Sequence, residues 1–294
     1  MVRIRERLVN EQVYYYLEHS QRKQGKVEKK ELYLGKRIPR NIVSLKRDFL
    51  VDIYEDNWFS SFEKIKSNYQ RSRKSMPRSA RKKGRGDFMV RYTYNTQRIE
   101  GSTLTLRETA ILLEDELTPS NRPLADVKEA EAHKKLFYEM FEHKNDLSLQ
   151  TVLYWHRILL GSTREDIAGR IRQHRVAVSG STFIPPLPLE LDLLMSAFFR
   201  WYHKSKNTMH PVEFAAVVHL KFVTIHPFAD GNGRLARILM NFILNRNGYP
   251  MMDIQYRNKN SYYNALERSQ KNNDDSIFTR WIFRNFITEN KIFL

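Results

Sequence analysis

Cysteine is absent from the 294 residues of this chain. That excludes disulfides, cysteine-bound zinc and thiol nucleophiles, and it suits a cytoplasmic protein. Long apolar runs are also missing. The most apolar stretch, FAAVVHLKFVTI at 214–225, carries His219 and Lys221 and is too short to span a bilayer, so no membrane partner is expected. The opening, MVRIRERLVNEQVYYYLEHS, is charged throughout and has no apolar centre, so it does not read as a secretory signal. Acids are scarce: 33 Asp and Glu face 50 Lys and Arg, a net charge of +17 that speaks to partners and solubility and not to fold. There is no internal repeat.

A hydrophobic fraction of 41% with 17 Phe, 15 Tyr and 4 Trp argues for a folded core. The positive charge is concentrated in RSRKSMPRSARKKGRG at 71–86, which holds no acid. It reads first as a solvated basic linker. Its second reading is a weak, non-specific contact with nucleic acid, because nothing beside it looks like a base-reading element.

The chain divides by pattern at about residue 87. In the 1–87 appendage, the Tyr- and Val-rich segment 12–19 and the loosely alternating 27–34 flank KQGK with Gly25, predicting a β-hairpin. Pro39 ends it, and a helix is expected over roughly 41–70, with Phe49, Ile53, Phe62 and Ile65 on one face. Residues 88–294 read as mainly α. Asp126 is a candidate cap for one helix, and Ser148 caps another that Gly161 stops. RVAVSGSTFIPP at 175–186 instead predicts a short hairpin or flap. Pro211 opens a nearly all-apolar helix, and Leu235, Ile238, Leu239, Phe242 and Ile243 stripe the next one until Gly248 and Pro250.

HPFADGNGRLAR, residues 226–237, joins those two helices. Gly231 and Gly233 let backbone N–H groups turn toward a ligand, and the uncapped start of the following helix favours an anion. Arg234 and Arg237 share one face of its first turn, and guanidiniums bind phosphate oxygens in pairs. The expected ligand is a di- or triphosphate. Asp230 is a hard oxygen donor suited to Mg²⁺ or Mn²⁺ on those phosphates. His226, at the entry, is a candidate general base. GNGRLA also fits G-x-G-x-x-A, with Asp253 near a ribose-binding position, but that motif needs a preceding strand and here follows a helix. A zinc pair of His226 and Asp230 lacks a third ligand and leaves both arginines unexplained.

The twelve residues match the H-P-F-x-D-G-N-G-R-x-x-R signature of the Fic (Fido) family in full. IAGRIRQHRVAVSGSTFIPP resembles that family's flap, and SYYNALERSQ resembles the segment lining its adenine pocket. The resemblance covers roughly 88–290. It implies a helical Fic core with a short β-hairpin flap, and transfer of AMP from Mg-bound ATP to a protein Ser, Thr or Tyr hydroxyl. His226 would be the base and Asp230 the metal ligand. Gly231, Asn232, Gly233, Arg234 and Arg237 would hold phosphates, while Tyr262, Tyr263 and Gln270 would lie at adenine. Val176, Val178, Ser179 and Gly180 would hold the target by strand pairing. Phe228 would pack. NTQRIEGSTLT at 95–105 resembles the family's inhibitory S/T-x-x-x-E-G/N element: Thr96 and Glu100 would face Arg237, and Gly101 would cap the helix. This is the self-inhibited class with an N-terminal inhibitory helix. His156 reads as a core histidine.

The expected partners are ATP, a target protein and the chain itself, as substrate or homodimer. One alternative is removal of AMP, or transfer of another phosphate-containing group. Another is a non-enzymatic, nucleic-acid-associated regulator that senses ATP.

Overall fold

Alternating charged and aliphatic residues in RIRERLV form a strand that the sequence reading missed. The computed structural model describes residues 2–23 and 26–294, and its first element is β1, Arg3–Val9. It pairs antiparallel with β2 (Gln12–Lys23), which pairs antiparallel with β3 (Lys26–Gly35), in the order β1-β2-β3. Asn10 and Glu11, both at positive φ (48° and 61°), make the two-residue link between β1 and β2. An Asn-Glu link hides the signal that Asn-Gly would advertise. Arg5 and Arg7 pair with Glu18, and Arg7 also with Glu31, so charge across the strands replaces apolar alternation. The expected hairpin is β2–β3; its turn at Gly25 lies outside the described residues.

The helix expected over 41–70 is α1 (Ile42–Tyr54), one π-helical turn at Glu55–Phe59, and α2 (Ser60–Ser75). Two compact units, residues 1–64 and 65–294, divide inside α2.

The basic run 71–86 is not a linker. Arg71–Ser75 close α2, and after Met76 and Pro77 the remaining residues open α3 (Arg78–Glu100). Lys and Arg are strong helix formers, and Pro77 ends one helix while starting the next.

The remaining helices of the second unit are α4 (Leu106–Glu114), α5 (Leu124–Glu142), α6 (Leu149–Leu160), α7 (Leu191–Ser205), α8 (Pro211–Ile225), α9 (Asn232–Arg246), α10 (Lys259–Asn272) and α11 (Asp275–Glu289). α8 is apolar on nearly every side because it is buried by α7, α9 and α11. α9 packs on α8, α3 and α5, which brings its first turn under the C-terminal end of α3. Ser148 caps α6 through the Thr151 amide as expected. Asp126 does not cap α5, whose N-cap is Pro123; its carboxylate instead accepts the Thr103 N–H and hydroxyl, both at 2.7 Å. The flap, 175–186, is extended around a turn in which Val178 accepts the Ser181 N–H and Gly180 sits at φ 73°. The Thr182 N–H donates to Glu267 at 2.9 Å and the Phe183 N–H to Ser181 Oγ at 3.1 Å. The flap makes no strand ladder among the described residues, so the expected hairpin is absent. No helix there is long and apolar enough to cross a membrane.

Candidate active site

The chain leaves α8 through His226, which adopts the left-handed conformation at φ 52° and caps the helix. Its Nδ1–H faces the Val223 carbonyl at 3.3 Å. That bond leaves Nε2 with its lone pair. Burial lowers the His226 pKa from its usual 6.5; the Val223 bond opposes this, Arg172 adds to it, and Glu100 and Asp230 also oppose it. The net direction is toward a neutral ring, the form that accepts a proton.

Gly231 turns the chain into α9 at φ 78°. A Cβ there would meet His156 Nε2 at 3.3 Å, so both backbone sign and space call for glycine. α9 begins with no side-chain cap and no acid in its first turn, which leaves free N–H groups and a positive dipole end. Asn232 does not project toward a ligand. Its side chain bonds both the N–H and the carbonyl of Phe228, at 3.0 and 2.8 Å, and staples the loop closed. Asp230 points outward: Oδ1 accepts the Gly231 N–H at 2.7 Å, while Oδ2 meets Arg164 at 2.6 Å and Arg234 at 3.1 Å. Arg234, 2% exposed, also pairs with Glu129 of α5.

Arg237 is fully buried. Its Nε donates to Thr96 Oγ1 at 2.9 Å, and its Nη2 donates to the Thr96 carbonyl at 3.3 Å and to Glu100 Oε1 at 2.6 Å. The Glu100 carboxylate therefore lies over the start of α9: a Cβ on Gly233 would come within 2.6 Å of its Oε1. Gly101, at φ 110°, ends α3 at this point, with Ser102 N–H bonded to the Gln97 carbonyl. An acidic side chain thus already stands at the anion-attracting helix end.

The expected adenine residues divide. Tyr262 is 1% exposed, and its hydroxyl contacts Arg237 at 3.4 Å and His219 at 3.1 Å, so it braces Arg237 and offers no open face. Tyr263 is half-buried and donates to the Ile99 carbonyl at 3.4 Å. Gln270 donates to Thr224 Oγ1 at 3.3 Å. Val176 and Val178 are half-buried, while Ser179 and Gly180 are exposed at the flap tip.

Three contributors escaped the sequence reading, and a fourth residue, His156, has a role beyond the one read for it. Arg172, 3% exposed, donates to the carbonyls of His226 (2.8 Å), His174 (2.9 Å) and Pro186 (2.7 Å), tying both ends of the flap to the base. Glu129 and Arg164 complete the ion pairs of Arg234 and Asp230. His156 is a core histidine as read, and it also holds the loop through the Asp230 carbonyl. Each lies far from the motif in sequence, and isolated charged residues carry no spacing signal.

Residues 146–244 match the family model of the Fic/DOC family. The chain is 34% identical over 207 residues to the protein adenylyltransferase Fic of Drosophila yakuba, covering 69% of this chain and 41% of that protein. It is 35% identical over 198 residues to the protein of the same name from Nematostella vectensis, covering 66% and 46%. The chain thus spans less than half the length of these curated relatives. A Fic domain-containing signaling protein from Bacteroides thetaiotaomicron has the same fold, with a TM-score of 0.71 and 27% identity over 79% of this chain and 96% of that one.

Proposed function

Because this chain belongs to the Fic/DOC family, whose domain it carries at 146–244, we propose that it is a protein adenylyltransferase restrained by its own Glu100. The observation that carries this reading is the convergence of a neutral-leaning His226, the uncapped N-terminus of α9 and the guanidinium of Arg237 around one point.

In this reaction a Ser, Thr or Tyr hydroxyl oxygen of the target attacks the α-phosphorus of ATP. The bond from that phosphorus to the bridging oxygen breaks, pyrophosphate leaves, and His226 Nε2 takes the hydroxyl proton. Phosphoryl chemistry of this kind is mainly positioning and charge neutralisation. The α9 amides and Arg234 bind the phosphates near the base, and Arg237 holds the terminal one. The flap, which belongs to no strand ladder, holds the target segment by main-chain pairing. Asp230 fits Mg²⁺, which binds through one or two carboxylates with substrate phosphates and does not need an all-protein cage. Mg²⁺ held there by Asp230 would supply charge neutralisation for the phosphates. Arg164 must release Asp230 for that, and Arg237 must release Glu100 for the terminal phosphate.

The chain itself is a candidate target, and a homodimer and a cytoplasmic setting belong to the same reading. The cations of 71–86 would contact nucleic acid weakly and without sequence preference through charge alone. The test is parallel incubation with α-labelled and γ-labelled ATP. Protein-bound label is expected from the α-position only. Label from the γ-position, or from neither with Glu100→Gly, overturns the reading.

A further inference from the structure

Beside the Met76–Pro77 corner, two cavities open that the transfer reaction leaves unused. One, of 390 Å³, is lined by Phe88, Phe141 and Phe293 together with Arg73, Arg81 and Arg85. The other, of 430 Å³, shares the same three arginines and adds Arg78 and Lys82, with Glu142 as its one acid. One chamber is thus aromatic and the other cationic, and they share a guanidinium wall.

On that wall the cations outnumber the acids among the described residues, with Glu142 the one acid acting on Arg85. Arg81 Nε is buried without a hydrogen-bond partner among the described residues. Arg85 stands over the Phe141 ring with its Cζ 3.7 Å from the centroid, and its pKa is lowered by burial and then by Arg73. The first turn of α3 has neither an acid nor a side-chain cap, although a helix N-terminus is already positive. Glu289 also lines the first chamber, but its two carboxyl oxygens accept the Asp253 N–H at 3.1 and 3.0 Å, and the cation acting on it is Arg91, not the three shared arginines. Such crowding becomes favourable when a multiply charged anion enters.

Gly84 is an independent observation. It lies inside α3, where glycine costs about 1 kcal/mol relative to alanine, and it lines the aromatic chamber. A Cβ there would meet nothing within 4 Å, so packing does not require glycine. Its effect is to leave the helix backbone open to whatever fills the chamber.

We propose that the two chambers form a second nucleotide site, distinct from the α9 loop, with the aromatic chamber taking a purine base and the cationic chamber its di- or triphosphate. A bare polyphosphate would leave the ring-lined chamber empty. A planar base stacks on Phe88 or Phe141 and on the guanidiniums. The volumes are those of small-molecule sites. α3 runs unbroken from these cations to Thr96 and Glu100, so the ligand binds on the helix that holds Arg237.

The test is equilibrium dialysis of radiolabelled ADP against the full chain at physiological salt. Gly84→Leu, which fills the aromatic chamber while improving helix propensity, should bind one fewer ADP per chain than wild type without lowering the thermal midpoint. Arg73→Gln with Arg85→Gln should weaken the same site by roughly a hundredfold or more, since each of the two lost charge-assisted bonds contributes about tenfold or more. Neither change touches the transfer machinery, so label transfer from saturating ATP should persist. An equal ADP count in wild type and both variants overturns the proposal. So does displacement of this ADP by tripolyphosphate or by an oligothymidylate as effectively as by ADP itself, which would mean a bare anion patch or a nucleic-acid strand site.

Discussion

His156 lies flat on Phe228, with ring centroids 3.7 Å apart and 7° between planes. Its Nδ1 accepts the Gly169 N–H at 2.8 Å, which puts the proton on Nε2, and that group donates to the Asp230 carbonyl at 3.0 Å. Burial lowers its pKa to about 4, so the ring keeps this neutral tautomer. Phe228 of the motif is therefore a plate against which a histidine from α6 holds the loop. His156→Ala should preserve the fold but loosen Asp230 and Gly231. A misplacement of about 1 Å can cost about 10²-fold in rate. The measurement is AMP transfer by the Glu100→Gly protein with and without His156→Ala; equal rates would leave His156 as packing alone.

His226→Ala should reduce transfer by about 10²–10⁴-fold, the usual contribution of a positioned base, with ADP binding retained. The pH dependence has a definite sign. Burial depresses the His226 pKa below 6.5, and the neutral ring is the active form, so activity persists to lower pH than an ordinary histidine would allow. The acid limb of kcat/KM for Glu100→Gly should fall below pH 6.5; a limb above that value contradicts a buried neutral base.

Glu100→Gly should raise transfer. Arg237 cannot serve Glu100 and a terminal phosphate in their best geometries at once, and coupling between sites is typically worth about 5- to 150-fold. Arg237→Ala should not mimic the release, because it removes the brake's partner and the substrate's anchor together. Gly233→Ala in the Glu100→Gly background should lose the gain again, since its Cβ would occupy space within 2.6 Å of where Oε1 stood. Label incorporation from α-labelled ATP across these variants decides it. Equal rates for wild type and Glu100→Gly would make Glu100 a helix-end residue only.

Asp253 and Glu289 meet near Asn95, whose amide donates to Asp253 Oδ2 at 2.6 Å. Burial raises Asp253 to about 7 and Glu289 to about 8, with Asp253's own charge adding to the latter and Arg91 opposing both. A carboxyl with a raised folded pKa binds more protons folded than unfolded, so it stabilises at low pH and the stability is lost as pH rises. The thermal midpoint should fall from about pH 5 to above pH 8, and Asp253→Asn should flatten that slope. A wild-type midpoint that rises over this window would show that the pair is charged when folded.

What the sequence by itself determined is the chemistry that lies within one or two turns of backbone. Gly231 must turn, an uncapped helix must follow, and Arg234 and Arg237 must share its face, because φ preferences and helical spacing act locally. Gly233, also expected to turn, is instead the second residue of α9, and the nearby Glu100 carboxylate is what leaves no room for a Cβ there. The nearly all-apolar α8 and the apolar stripe of α9 were legible for the same local reason. Tertiary structure alone decided which of many charged side chains meet. Glu100 reaches Arg237 across 137 positions, Glu129 reaches Arg234, and Arg172 spans the flap to His226. A lone charge on a helix looks the same in sequence whether it faces water or a buried guanidinium, and only packing removes the water. The basic run shows the converse. Its composition suits a solvated linker and a helix equally well, and aromatic side chains from distant segments gather beside it only once the helices are assembled. β1 likewise became a strand because Glu18 and Glu31 across the sheet neutralise its arginines.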